Sequence, residues 1–421
     1  MLRQTIKICP KQSREEGTGF PLETPFQAEE FVNSQVREIG SRLGKEMAMI
    51  AISGGVDSTT CAAIMHRAIG SSFKPILIDT GFMRLKEPEK VRKMLLAPPL
   101  RLPLKIVRGK RSFMKALDGI ENAEEKRKAF RETMYTILGE SAKKERCKYL
   151  VQGTIAPDWI ETKGGIKTQH NVLEQMGIKT LEKYGFTLIE PLASLYKDQV
   201  RQVARYLKVS TQISERPPFP GPGLVVRCVG RIDSRKLGVL KTATDIVERR
   251  LKDQGTQQYF AVILENQFEN GELSTGIREL AAKSLSVKSD EIVVRVFLQR
   301  ATGVKGDERV YGKVAGICVP ETNRETLGND VPKLIELEGQ VTSSFPELVR
   351  VLYLVDNRVR QGRYSLVVRA VSTRDFMTAD VTSVSWDVLS RIARDILKAI
   401  REISCVYYDV TPKPPATVEF E

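Results

Sequence analysis

Apolar and polar positions alternate with two different periods along this chain. From Phe26 onward, Phe31, Val32, Val36, Ile39 and Leu43 recur at the spacing of a helix with one buried face. Residues 47–52 are then apolar without a break, a run short enough to predict a buried strand. After it, Cys61, Ile64, Met65, Ala68 and Ile69 return to helical spacing. Further short apolar runs fall at 75–78, ending at Asp79, and at 104–107, 149–151 and 187–189. Helices are predicted over 123–146 and 196–207. Strands apolar throughout that alternate with helices imply a parallel sheet covered on both faces, an α/β fold.

A proline-rich stretch, Pro217-Pro218-Phe219-Pro220-Gly221-Pro222-Gly223, interrupts this rhythm. Beyond it, helices near 235–252, 276–284 and 385–402 are mixed with strands near 259–264, 292–298, 310–318, 349–354, 364–371 and 405–410. That is an α+β pattern. The stretches 309–315 (RVYGKVA) and 362–368 (GRYSLVV) are loosely alike, which suggests two similar modules. The expected organisation is an N-terminal extension (1–25), a parallel-sheet domain (26–228) and an α+β domain (229–421).

Composition narrows the class. The chain has 421 residues, 41% hydrophobic and 28% charged, and no stretch approaches the ~18 uninterrupted apolar residues of a membrane span. The N-terminus lacks an apolar signal segment, so a cytoplasmic location is expected and no membrane partner. Six scattered cysteines form no CxxC pair, which argues against a zinc ribbon or a disulfide framework. The net charge of +14 suits nucleic acid or small anionic substrates equally, and its mixed runs read as solvated helix faces.

The densest chemistry lies at Ser53-Gly54-Gly55-Val56-Asp57-Ser58-Thr59, between a predicted strand and a predicted helix. Two glycines allow close backbone approach and positive φ. The first-turn amides of the helix, with the hydroxyls of Ser58 and Thr59, can hold phosphate oxygens. The loop carries no lysine of the GxxxxGK[ST] kind, which fits a site that grips pyrophosphate as a leaving group. Asp79, at the carboxyl end of the next strand, can hold ribose hydroxyls. The segment resembles the PP-loop of the ATP pyrophosphatases, which cleave ATP between the α and β phosphates. That resemblance implies adenylation, with ATP at residues 53–59, Asp79 and Gly153, and Mg²⁺ on the phosphates, where Asp57 is a candidate contact.

Other motifs choose the substrate. In order they are Gln152-Gly153-Thr154 with Asp158 and Glu161, the stretch 166–172 with Lys167, Gln169 and His170, Glu190-Pro191-Leu192, and Tyr196-Lys197-Asp198-Gln199. They continue with the PFPGPG loop followed by Arg227, Gly303-Val304-Lys305-Gly306-Asp307, residues 375–380, and a terminus containing Lys413-Pro414-Pro415-Ala416-Thr417-Val418-Glu419. This ordered series resembles the synthetase part of the GMP synthetases over residues 26–421. The resemblance implies XMP and ammonia as substrates, adenylation of the XMP 2-oxygen, and displacement of AMP by ammonia. It puts Arg127, Asp307, Lys413, Val418 and Glu419 at XMP, and Asp57, Asp158 and Lys167 in catalysis.

Three departures from the family matter. Gln169 stands where the family has the first of two histidines. No glutaminase domain is recognisable, so ammonia is expected free or from a separate glutaminase subunit. The second domain is longer than the common form, whose counterpart makes a homodimer; an internal module could replace that contact, which leaves a homodimer open. Two competing expectations are a PP-loop tRNA-modifying enzyme and a nucleotide-binding paralogue without turnover. Absent CxxC pairs and the KPPAT segment oppose the first, so no nucleic-acid partner is expected. The intact loop, Lys167 and KPPAT oppose the second.

Overall fold

The computed structural model describes residues 26–156, 186–214, 219–269, 271–306, 308–358, 362–373 and 378–421. The chain divides into two compact units. The first takes the described residues of 26–81, 86–113 and 131–221, and the second takes 82–85, 114–130 and 222–421.

In the first unit, helix α1 (Ala28–Leu43) buries Val32, Gln35, Ile39 and Leu43. It ends at Gly44, whose φ of 54° lets its amide reach the Gly40 carbonyl at 3.0 Å. The elements that follow are β1 (Ala48–Ala51), α2 (Val56–Ile69), β2 (Phe73–Asp79), α3 (Glu87–Leu96), β3 (Lys105–Arg108), α4 (Lys110–Ala116), α5 (Ala123–Lys144), β4 (Tyr149–Val151), β5 (Thr187–Ile189) and α6 (Lys197–Tyr206), of which residues 114–116 of α4 and 123–130 of α5 belong to the second unit. All strand pairs are parallel, in the order β3-β2-β1-β4-β5. β1 is central and covered on both faces, which is why its sequence is apolar throughout. Its neighbours β2 and β4 lie on opposite sides. The order therefore reverses at β1/β4, the place where sheets of this kind form a ligand crevice. Ser53 follows β1 there, and Gly153 follows β4.

The second unit holds α7 (Ser234–Leu251), β6 (Gln258–Glu265), β7 (Phe268–Glu269), α8 (Glu272–Leu285), β8 (Val293–Lys305), β9 (Glu308–Cys318), α9 (Glu321–Asn329), α10 (Val331–Ser344), β10 (Leu348–Asn357), β11 (Tyr364–Ser372), β12 (Asp380–Val381), α11 (Trp386–Ala399) and β13 (Ile403–Asp409). One mixed sheet runs β12-β11-β13-β10-β9-β8-β7, with β6 also on β11.

Two like modules are visible in the pairing. α8-β8-β9-α10-β10 and α7-β6-β11-α11-β13 share one plan: the first strand is antiparallel to the second, and the second is parallel to the third. One module is inserted within the other. They are joined through their third strands, β10 and β13, which pair antiparallel with Leu352 opposite Asp409. The two similar stretches of sequence fall at β9 and β11, the equivalent second strands. Phe260, Val262, Leu264, Phe297, Leu352, Leu354, Val367, Tyr407 and Phe420 close a common core.

The five described cysteines are buried free thiols. No helix among the described residues is long and apolar enough to cross a membrane.

Candidate active site

The loop after β1 is built from its own side chains. Gly54 has φ 84°, open to glycine at little cost. Ser53 Oγ accepts from the Gly55 amide at 3.3 Å and lies 3.1 Å from Ser58 Oγ, which donates to the Gly55 carbonyl at 3.3 Å. Gly55 is the N-cap of α2, and no side chain caps that helix. Its first-turn amides are therefore left to meet an anion, aided by the helix dipole. Thr59 is fully buried, with a hydroxyl that has no protein partner, and Val56 is buried too.

Two further residues complete this mouth. A Cβ on Gly153 would lie 3.1 Å from the Ser58 nitrogen and 3.2 Å from the Asp57 carbonyl carbon, so β4 and the helix start meet at a position only glycine fills without displacement. Lys197, the first residue of α6, donates to both carboxylate oxygens of Asp57, at 2.8 and 2.7 Å. The cation absent from the loop is thus brought from 140 residues away. Behind the loop, Thr154 donates to buried Glu190 at 2.5 Å. Burial, then Asp57 and Glu190, push the Cys61 thiol well above its usual range, which makes it inert packing. Asp79 Oδ1 accepts from the Gly81 amide at 2.9 Å, so one oxygen already serves the turn at the end of β2.

In the second unit, residues 411–421 fold back over the sheet. Glu419 receives a two-pronged contact from Arg227, Nε at 2.9 Å and Nη2 at 2.8 Å, while that guanidinium lies 4.0 Å over the Phe260 ring. Glu421 is fully buried. Its side chain accepts from Lys126 at 2.5 Å, from the Gly230 amide at 3.1 Å and from Tyr311 at 3.1 Å, and Arg127 Nη2 donates to its carbonyl. Arg127 Nε and Nη1 are buried without a hydrogen-bond partner, although Glu124 lies 3.8 Å from Nη1. Burial lowers the affinity of this guanidinium for its proton below the ordinary value, and Arg309 adds to that while Glu124, Glu419 and Glu421 oppose it. Buried donors without partners are costly, and an anion at this spot would satisfy them. Lys413 exchanges backbone bonds with Ala379, at 2.8 and 3.1 Å.

Sequence reasoning and geometry meet unevenly. Ser53, Gly54, Gly55, Asp57, Ser58 and Gly153 converge in the first unit, and Arg127 and Glu419 are neighbours in the second. Asp158, Lys167 and Asp307, with Glu161, Gln169 and His170, lie outside the described residues. Lys197 had no role in the sequence reading although its motif was singled out. Arg350 and Arg369, fully buried beneath the tail, were missed outright, and Asp409, buried with them, stood in the C-terminal motif without a role. Their signal was available: a charge inside an otherwise apolar strand, as in VRVLYLV and LVVRAV, has to be paired.

A family model described as GMP synthase C terminal domain matches residues 333–420, and one described as NAD synthase matches residues 26–270. Over 399 residues the chain is 45% identical to the B-subunit of GMP synthase (glutamine-hydrolyzing) from Saccharolobus solfataricus, covering 94% of this chain and 100% of that relative. The chain belongs to the family of GMP synthase B-subunits. The members from Sulfurisphaera tokodaii and Archaeoglobus fulgidus are 43% and 37% identical, each over 94% of this chain and 100% of the relative. Among solved structures, the chain is similar to an NMN synthetase from Francisella tularensis, with a TM-score of 0.35 and 18% identity over 52% of this chain and 84% of that one. Membership in this GMP synthase family makes the chain an ATP-using ligase. The family's C-terminal match contains Lys413, Val418 and Glu419 together with Arg350 and Arg369, while Arg227 lies outside it.

Proposed function

We propose that the chain aminates XMP to GMP through an adenyl-XMP intermediate, releasing AMP and pyrophosphate, with ammonia free or delivered by a separate glutaminase subunit. The observation that carries this reading is the uncapped helix mouth at residues 53–58, with Lys197 against Asp57 and Gly153 closing the side. Such a mouth suits a diphosphate that departs as an anion. The amides of α2 and Lys197 supply donors where charge grows on the leaving group. The XMP 2-oxygen forms the bond to the α-phosphorus as the bond to the β-phosphate oxygen breaks. Ammonia then attacks the purine carbon, AMP leaves with the bonding electrons, and the ammonium loses a proton to water or a nearby base. From the family motif alone, Lys167 is assigned to the phosphate charge of the adenylyl-transfer step and Asp158 to the place where the adenine ribose and the reacting oxygen meet.

In the second unit, Arg127 and Lys413 are assigned to the XMP phosphate, and Val418 and Glu419 to its sugar or base, with Asp307 nearby. The partnerless donors of Arg127 support the first of these. Asp79 and Gly153 are assigned to ATP. Mg²⁺ normally takes one or two carboxylates plus phosphate oxygens. Asp57 is the sole carboxylate in the loop and both its oxygens already accept from Lys197, and no group of three or more metal-ligating side chains occurs among the described residues. Asp57 is the described carboxylate that would share a Mg²⁺ ion with the ATP phosphates, where the ion would neutralise phosphate charge; no step here is routed through it.

The deciding experiment is XMP-dependent AMP formation with ammonium as nitrogen source. Asp57→Ala should abolish it, and Lys413→Met should chiefly raise the XMP requirement. Pyrophosphate release that ignores XMP would sink the reading. One copy of the chain is proposed to suffice, because β10 and β13 already join two like modules internally. Light scattering that returns twice the chain mass at micromolar concentration would contradict this.

A further inference from the structure

We infer that Arg227, Arg350 and Arg369 are positioning residues that hold residues 417–419 in their nucleotide-binding form before any nucleotide arrives. This rests on the assignment of Val418 and Glu419 to XMP made above.

The tail crosses the sheet where it has no continuous strand to pair with, yet its carbonyls are engaged. Arg350 Nη2 donates to the carbonyls of Thr417 at 2.9 Å and Glu419 at 2.5 Å. Arg369 donates to the same Thr417 carbonyl through Nη2 at 3.0 Å and to that of Val418 through Nε at 2.9 Å. Three successive carbonyls thus accept from two guanidinium groups, which do the work of a neighbouring strand. The arginines are fixed in turn by one carboxylate. Arg350 Nη1 and Arg369 Nη1 lie 2.8 and 2.7 Å from Asp409 Oδ2, and all three side chains are fully buried. Register explains the meeting. Leu352 pairs with Asp409 across β10 and β13, Val368 pairs with Tyr408 across β11 and β13, and so Arg350, Asp409 and Arg369 share one face.

Both flanks of the stretch are also tied. The Val304 amide donates to the Pro415 carbonyl at 2.7 Å, Thr302 to that of Phe420 at 2.9 Å, and Glu421 to that of Val226 at 3.0 Å. Thr417 Oγ1 donates to Glu419 O at 2.6 Å and lies 3.1 Å from Thr302 O. From this fixed backbone, Glu419 remains 22% exposed, its carboxylate oriented by the Arg227 fork while Arg227 itself is buried. A carboxylate so held keeps lone pairs for a ligand's N–H or O–H groups. Ordering the tail ahead of time removes that cost from nucleotide binding.

The test compares Arg227→Lys and Arg227→Met with the parent chain, reading XMP affinity by calorimetry, steady-state KM for XMP and ATP, and melting temperature. A lysine cannot reproduce the fork and stacking, so affinity should fall in the order parent, Lys, Met. The Met variant should lose tenfold or more for XMP with KM for ATP within twofold, and the Lys variant, which keeps the charge, should melt closer to the parent than the Met variant does. XMP affinity within twofold of the parent in both variants overturns the role of Arg227. Hydrogen exchange of the nucleotide-free parent tests the preformed tail without a variant. The amides of Ala416 and Glu421 should exchange slowly, and fast exchange that slows only when XMP is added overturns the preformed tail. If instead Glu419→Gln and Lys413→Met bind XMP as the parent does, it is the assignment of the tail to XMP that fails.

Discussion

Lys197 Nζ stands 2.8 and 2.7 Å from the two carboxylate oxygens of Asp57, pairing the first residue of α6 with the first turn of α2. The side chains are 42% and 30% exposed, so the pair adds little to stability. Its value lies in charge placement at a phosphate mouth. Lys197→Met is expected to lower kcat/KM for ATP by about 100-fold or more, in line with the loss of a preorganised donor to a developing anion. Its melting temperature should stay close to the parent's. Pyrophosphate-release kinetics decide, and a loss below threefold would remove Lys197 from the site.

Gly153 faces backbone on the far side of the same mouth. An added Cβ would sit 3.1 Å from the Ser58 nitrogen and 3.2 Å from the Asp57 carbonyl carbon, and backbone cannot rotate away as a side chain can. Gly153→Ala should therefore shift the start of α2 by a few tenths of an ångström. A misplacement of that order near reacting groups lowers activity by about tenfold or more. Stability should change by less than about 1 kcal/mol, since no positive φ is demanded at this residue. Activity within twofold of the parent would show that the loop tolerates the shift.

How much of this was legible beforehand differs by unit. The parallel sheet could be read because β1, β2, β4 and β5 are short apolar runs separated by periodic helices. Helix α3 escaped notice, as Val91 and Leu95 are its only fully apolar inward residues apart from Pro88, too few to set a period. The segment Glu321–Asn329 and Val331–Ser344 was unassigned for a related reason: two helices abut at Asp330, which breaks one phase into two. The two-module plan left a trace in the sequence, while its interleaving did not, because strand order is set by contacts between residues far apart in the chain. The site shows the same division. Residues 53–59 read as a phosphate turn from local geometry alone. Lys197, Arg350 and Arg369 reach their partners only through the fold.

Asp409 neutralises two arginines in a fully buried place, with Oδ1 accepting from the Thr411 amide at 3.1 Å. Asp409→Asn keeps the shape and removes the charge, leaving two guanidinium groups uncompensated. Breaking a buried pair of this kind costs about 3–5 kcal/mol. Urea unfolding should register that loss as a lower midpoint at an unchanged slope. Replacing Arg350, Arg369 and Asp409 together with apolar residues should recover much of the stability while losing the hold on residues 417–419. A single Asp409→Asn variant as stable as the parent would mean the arginines find another counter-charge.

Glu338 offers the clearest pH signature. It lies on the buried face of α10 at 2% exposure, with Oε1 unpartnered, and burial pushes its carboxyl up to about 8, with Asp409 adding and Thr342 and Arg369 opposing. In the unfolded chain the same group titrates at ~4.3. Between those values the unfolded chain gives up a proton that the folded chain keeps. Stability is thus fullest below the unfolded value, declines as pH rises, and levels off once pH passes about 8. Glu338→Gln keeps the shape and cannot ionise. Its advantage over the parent should widen by about 2 kcal/mol from pH 6 to pH 8 and then flatten. Paired denaturation curves at half-unit steps across pH 6–9 measure this, and parallel curves for the two proteins would mean that Glu338 is already ionised in the fold.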